Sequence, residues 1–357
     1  MSKIRVLVVG CGHMGKSHAK AYDDLEDFEI VGLVSRGEKS RSALAKDLKV
    51  DCPLYSDYET ALIESKPDAV CISTYPETHV EYAIKAFEAG AHVFMEKPLA
   101  EDLTEAQSVV DASVKAGKVL MVGYILRVHP SWQKFIEVAR GLGKPLVMRM
   151  NLNQQSQKDQ WETHKNLMNS MMPIVDCGVH YVDVMSQMTQ AKPVSVYAIG
   201  ARLSDELNEG QMNYGQLQVK FDDGSVGWYE AGWGPMMSET AFFIKDVVGP
   251  KGSASIVSDT ASSRSNSAEV EAHTKTEKIL VHHSARDESG KFAKEDELLS
   301  TEDEPDHDGL CLREQKVFLS AIKGDQDLSQ HCQDAIDSLR IVLAAKESIE
   351  KDIVVKL

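Results

Sequence analysis

Three short stretches hold side chains whose types and spacing could do chemistry. In "GCGHMG", Gly10, Gly12 and Gly15 form a G-x-G-x-x-G pattern, with His13 and Met14 between the second and third glycines. Such a loop suits a pyrophosphate. The first glycine permits a tight turn, the second lets backbone approach the phosphates, and the third lets helix and strand pack closely. In "VFMEKPLAED", residues 93–102, an apolar run ends abruptly in Glu96, Lys97 and Pro98. Charged side chains are seldom buried without partners and proline cannot donate to a sheet ladder, so this tip is either wet or turned toward a ligand. In "DCGVHYVD", Asp176 and His180 stand at i and i+4, on one face of a helix, with Asp183 beyond them. A carboxylate beside an imidazole favours the charged ring and fixes its tautomer, which suits proton transfer near neutral pH. By itself the same spacing also fits an ordinary surface ion pair. Gly178 between them weakens the helix, which makes sense where something approaches the backbone.

These groups need elements to hold them. Residues 1–125 alternate β-like runs ("IRVLVVG", "EIVGLVS", "DAVCIST", "HVFME", "VLMVGY") with helical ones. The strands are continuous runs of Val, Ile and Leu, as a parallel sheet covered on both faces requires. The expected fold is α/β: an N-terminal Rossmann domain, a doubly wound parallel sheet over 1–125, followed by a C-terminal α+β domain over 126–357. In the latter, "PSWQKFIEVARGLG" and "MPIVDCGVHYVDVMSQM" read as helices, and "VSVYAIGARL", "YGQLQVKF" and "GSVGWYEAGW" as strands of a broad, mainly antiparallel sheet, with a hairpin turn at "DDGS". Residues 258–307, polar and strongly charged, read as a solvated excursion, and two helices close the chain.

The second strand of a dinucleotide-binding fold commonly ends in an acid that grips the ribose 2′-hydroxyl. Here it ends in Ser35-Arg36, with Lys39 and Arg41 following, a basic cluster in an acidic chain. A guanidinium binds a phosphate bidentately and stacks on adenine, so the sequence favours NADP(H) over NAD(H).

Composition excludes other classes. The net charge of −16 argues against a nucleic-acid partner. No apolar run reaches the ~20 residues that span a bilayer, and "MSKIRVLVVG" goes straight into a strand without a signal-peptide core, so a cytoplasmic protein with no membrane partner is expected. The six cysteines form no CxxC pair and read as reduced thiols; no metal site is expected.

The glycine loop, the EKP strand tip and the later D-x-G-x-H together resemble the Gfo/Idh/MocA family of oxidoreductases, over nearly the whole chain. The resemblance also takes in "TYPETHVEYA", residues 74–83. It implies that Gly10, Gly12, His13, Met14, Gly15, Ser35, Arg36, Thr74, Tyr75, Pro76, His79, Glu96 and Lys97 contact the cofactor, and that Pro98 follows a cis peptide. It implies that Lys97, Asp176 and His180 are catalytic: His180 moves the proton, Asp176 partners it, and Lys97 holds the reacting oxygen and lowers the pKa of His180. Arg127, with His129, would line the substrate cleft. Met171 and Met172 stand where relatives carry two small residues, so the substrate pocket that includes Met172 is reshaped. Trp161, Trp228 and Trp233 read as core or as the floor of a sugar site. The implied reaction is hydride transfer between nicotinamide and a carbinol or carbonyl carbon of a sugar, polyol or related small molecule. A non-catalytic dinucleotide-binding sensor and an NAD-dependent glycosidase of the same fold are the alternatives. A homodimer or homotetramer joined through the C-terminal sheet is expected.

Overall fold

The computed structural model describes residues 2–239, 243–257, 267, 269, 274–301 and 303–357. They form two compact units, Met1–Val128 with Pro305–Ile336, and His129–Glu304 with Asp337–Leu357.

In the first unit, β1 (Ile4–Val9), β2 (Phe28–Val34), β3 (Leu54–Tyr55), β4 (Ala69–Ile72), β5 (His92–Met95) and β6 (Leu120–Val122) form a parallel sheet in the order β3-β2-β1-β4-β5-β6. This is the doubly wound dinucleotide-binding order, whose crevice opens beyond the carboxyl ends of the strands on either side of β1. Between strands run α1 (His13–Asp23), α2 (Glu38–Leu48), α3 (Tyr58–Ser65), α4 (His79–Glu88) and α5 (Leu103–Ala116). Strand β4 is buried along its whole length, as a sheet covered on both faces demands.

In the second unit, α6 (Pro130–Gly141), β7 (Val147–Gln154), α7 (Asp159–Leu167), α8 (Pro173–Asp176) and α9 (Gly178–Thr189) precede β8 (Pro193–Ala201), β9 (Tyr214–Phe221), β10 (Val226–Trp233), β11 (Lys245–Gly249), β12 (Gly252–Val257), β13 (Lys278–His283) and β14 (Glu297–Ser300). With β15 (Val355–Lys356), the described strands give one sheet ordered β14-β13-β12-β11-β7-β10-β9-β8-β15. Its neighbours are antiparallel except for the parallel pair β7–β10. The turn at "DDGS" joins β9 to β10, and Gly224 takes φ +84° there. Along β9, Gly215, Leu217, Val219 and Phe221 are buried while the alternating residues are more exposed, the signature of a half-buried strand.

Three expectations need correction. Helix α10 (His307–Ile322) belongs to the first unit, not to a continuous 126–357 domain, because Phe318 and Leu319 enter the core cluster formed by Val6, Tyr22, Phe94 and Met121. Helix α11 (Ser329–Lys351) supplies residues to both units. The stretch 258–307 is not wholly a solvated excursion: β13 and β14 extend the sheet, and Ile279 and Val281 are buried. Alternation is short there and charge hides it. Residues 258–266, 268, 270–273 and 302 lie outside the described residues.

Candidate functional site

The glycine loop lies between β1 and α1. Gly10 takes φ +97°, and a Cβ there would stand 2.2 Å from the carbonyl oxygen of Ser73. A Cβ on Gly15 would stand 1.8 Å from the carbonyl oxygen of Gly10, so the loop closes on its own backbone. A Cβ on Gly12 would meet nothing within 4 Å, which leaves room for a ligand to approach the chain. Gly12 caps α1 with no side-chain hydrogen bond, so the first N–H groups of the helix face outward beside exposed His13 and half-buried Met14. A diphosphate fits this loop.

Beyond β2, the Ser35 hydroxyl meets that of Ser40 at 2.9 Å, and the Arg41 guanidinium donates to the Ser35 carbonyl at 2.7 Å. Arg36 is exposed at the strand end.

Beyond β4, the Thr74 and Thr78 hydroxyls pair at 2.6 Å, Tyr75 is 39% exposed, and Pro76 is buried. His79 has no exposed surface, and its ring nitrogens lie 2.8 Å from the Pro98 carbonyl and 3.1 Å from that of Thr74. Burial pushes its pKa down, so the neutral ring donates to one carbonyl at a time. Its side chain braces the β4 and β5 loops against each other and does not itself face solvent.

Beyond β5, Glu96 is buried and Lys97 half-buried, and the Lys97–Pro98 peptide is cis. Glu96 Oε2 accepts from the Lys97 backbone N–H at 3.2 Å, and Oε1 lies 2.7 Å from His18 Nε2. A Cβ on Gly123, beyond β6, would come within 3.3 Å of Glu96 Oε1. The charged tip of the strand is therefore not simply wet. His18, Gly123 and the α10 residues beneath them were missed by sequence reasoning. The one available signal was the polar histidine on the inner side of α1.

Arg127 donates to Asp334 Oδ2 at 2.7 Å and lies over the Tyr124 ring. Its guanidinium is thus held by α11. His129, by contrast, is fully buried in the second unit and caps α6, its Nδ1 accepting from the Ser131 N–H at 3.2 Å.

In the second unit the expected single helix is two, α8 and α9, meeting at Cys177. Asp176, the last residue of α8, is buried; Met172 and His180 are half-buried. A Cβ on Gly178 would lie 3.0 Å from Val342 and 3.4 Å from the Tyr229 ring, so this glycine admits close packing of protein. Asp176 has an ordered setting. Cys177 Sγ lies 3.7 Å from Asp176 Oδ2 and 3.8 Å from Gln154 Oε1, which also accepts from Trp233 Nε1 at 2.6 Å. His164 stacks on Trp233 at 4.5 Å, and burial lowers its pKa to about 4, with Asp176 opposing. Trp161 and Trp233 are buried and Trp228 is half-buried.

All six cysteines are free thiols. Among the described residues, His18, Cys311 and Glu314 are close enough to be considered metal ligands. Both ring nitrogens of His18, however, already have hydrogen-bond partners. No helix among the described residues is long and apolar enough to cross a membrane.

Two family matches cover more than half of this chain. "Oxidoreductase family, NAD-binding Rossmann fold" spans residues 4–124, and "GFO/IDH/MocA C-terminal domain" spans 138–255. The chain belongs to the Gfo/Idh/MocA family. Among curated Gfo/Idh/MocA relatives, UDP-N-acetylglucosamine 3-dehydrogenase of Acidithiobacillus ferrooxidans is 29% identical over 56% of this chain and 59% of its own. Inositol 2-dehydrogenase of Agrobacterium fabrum is 29% identical over 56% and 58% respectively. The chain thus spans less than two thirds of the length of these relatives. The crystal structure of GenD2 from gentamicin A biosynthesis in complex with NAD covers 100% of this chain and 97% of its own, with TM-score 0.76 and 20% identity, a likeness of fold.

Proposed function

We propose that this protein is an NAD(P)-dependent dehydrogenase or reductase that moves a hydride between nicotinamide and a carbinol or carbonyl carbon of a sugar, polyol or related small molecule. The observation that carries the reading is the presence of Lys97, Asp176 and His180 together, on a chain whose two halves both match an oxidoreductase family. A non-catalytic dinucleotide sensor has no need of that set. The curated relatives named above act on a nucleotide sugar and on inositol.

The dinucleotide supplies the hydride chemistry when bound. The glycine loop seats its diphosphate, and Glu96 and Lys97 lie beside its reactive ring. Lys97 holds the substrate oxygen with a compact ammonium. His180, oriented by Asp176, takes the hydroxyl proton during oxidation and returns it during reduction. Met172 shapes the substrate pocket. Arg127, held by Asp334, also binds substrate.

The cofactor is NADP(H) in preference to NAD(H). Arg36 is exposed where a 2′-hydroxyl-binding acid would otherwise stand, and Arg41 pins the Ser35 carbonyl beside it. The protein works in the cytoplasm as a dimer or tetramer through the outer face of the second sheet. There Val226, Val147 and Val248 form one exposed row across β10, β7 and β11. A monomer by light scattering at micromolar concentration would refute that assembly.

A screen of polyols, aldoses and keto-sugars with NADPH, NADP, NADH and NAD, followed by nicotinamide absorbance, tests the whole reading. Turnover of a member of these classes is the expected result. Tight cofactor binding with no turnover of any member would point to a sensor. Glycoside cleavage with a cofactor that never exchanges would point to a glycosidase.

A further inference from the structure

Beneath the Glu96 strand tip lies a buried polar chain built from three distant parts of the sequence. His18 of α1 and Gln315 of α10 have no exposed surface, Glu314 is 1% exposed and Glu96 is 7% exposed. Gln315 Nε2 stands 3.0 Å from His18 Nδ1, and His18 Nε2 stands 2.7 Å from Glu96 Oε1. The Phe94 ring packs on the imidazole with centroids 4.6 Å apart and fixes its plane.

With the Gln315 amide nitrogen facing the ring, these contacts have one consistent proton assignment. An amide nitrogen only donates, so Nδ1 of His18 must accept and carry no proton. The ring proton then sits on Nε2 and is donated to Glu96 as an ionised carboxylate. With Oε1 so engaged, Oε2 is turned to the Lys97 N–H. Neither carboxyl oxygen of Glu314 has a partner among the described residues, and burial with the Glu96 charge nearby raises its pKa well above the usual range. Burial thus favours the neutral form at Glu314, while both oxygens of Glu96 accept, which places negative charge on the residue at the strand tip.

We propose that Gln315 is a positioning residue for Glu96, acting through His18. Its amide sets the imidazole tautomer, the imidazole aims the carboxylate, and the carboxylate orders the Lys97 backbone. The proposal rests on the reading above that Glu96 lies beside the cofactor. A helix near the far end of the chain thereby tunes a loop that local sequence alone would credit to β5.

The test uses the full chain with two readouts. Ring-nitrogen NMR of labelled protein, with His18 assigned by its loss in His18→Phe, should show the proton on Nε2. In NADPH titrations, Gln315→Met should raise Kd about 3- to 10-fold, the value of one net hydrogen bond. In a Glu96→Gln background the same change should add almost nothing, because residues acting through one another are not additive. A merely structural glutamine would shift thermal stability and add its effect in both backgrounds. A proton on Nδ1 in the unmodified protein, or additive effects, would each overturn the proposal. NADPH affinity indifferent to both Glu96→Gln and Gln315→Met would overturn the positioning role even with the tautomer as expected. Non-additive losses of affinity, with no turnover anywhere in the substrate screen, would sink the dehydrogenase reading and leave the positioning role standing.

Discussion

The two units assemble their chemical groups by different means. In the first, backbone makes the site: Gly10 sits at φ +97°, a Cβ on Gly15 would lie 1.8 Å from the Gly10 carbonyl, and open space surrounds the Cβ position of Gly12. In the second, side chains make it: Asp176 and His180 flank a helix junction packed by Val342 and Tyr229 through Gly178. A site made by backbone depends on local conformation, which a few glycines specify. A site made by side chains depends on partners brought from elsewhere in the chain.

The sharpest way to separate the two is to remove chemistry from one and binding from the other. His180→Ala should cut turnover by ~10²–10⁴, the usual loss of a general acid–base, with cofactor affinity intact in a fluorescence titration. A parallel loss of cofactor binding would break the division. Phe318→Ala should cost about 3–5 kcal/mol of unfolding free energy in denaturant titration, because this fully buried ring closes the first unit's core. Gly15→Ala should destabilise by roughly 1–3 kcal/mol, since backbone must yield to the new methyl. Gly12→Ala should change stability by no more than ~1 kcal/mol while losing most cofactor affinity. Equal behaviour of the two alanines would refute the backbone account. Arg36→Ala should weaken NADPH by about tenfold or more and leave NADH nearly unchanged, the expectation for losing a charged hydrogen bond; equal affinity of the unmodified protein for both would reject the NADP(H) preference.

The smallest expected effect is on acid stability, and both units contribute to it. Burial lowers His164 in the second unit and His331 in the first to about 4. Between that value and the ordinary imidazole pKa, the unfolded chain binds protons that the folded chain refuses. The contribution is therefore complete above about pH 6.5 and is lost as pH falls toward 4. Replacing either ring by glutamine should flatten the stability-against-pH profile over that window; a slope unchanged in both variants would contradict the burial of these rings.

Legibility followed the same division. Five of the six strands and four of the five helices between them could be read from apolar runs, and the glycine and EKP motifs fell at strand ends because short local patterns fix both; β3, two residues long and without a buried side chain, and the short α3 after it were missed because neither carries a full period. The β9–β10 hairpin was legible for the same reason. Helix α10 was recognised as a helix, but not as part of the first unit, because its contacts with α1 and the β-sheet span most of the chain. The role of Gly178 depends on Val342, far along the sequence, so spacing alone offered only a ligand as explanation. Strands β13 and β14 were hidden by surrounding charge: Glu297 and Lys294 form a surface ion pair, while only alternate residues of β13 are buried. Of the Glu96–His18–Gln315 chain only the histidine on the inner side of α1 left a signal, since polar partners from three segments leave no periodic mark.

The return of α10 to the first unit also has a consequence for how the chain comes into being. A nascent chain ending near Val128 has all six strands of the first sheet but lacks Phe318, Leu319 and Gln315, so part of its core and its buried Glu96 partner network remain open. Residues 129–304 must be synthesised before those side chains emerge. At ~5–20 residues per second, that leaves the core unfinished for roughly 10–35 s on the ribosome. During that interval the exposed inner face of α1 is a surface that a chaperone would be expected to cover, and truncation after residue 304 should leave it permanently unsealed.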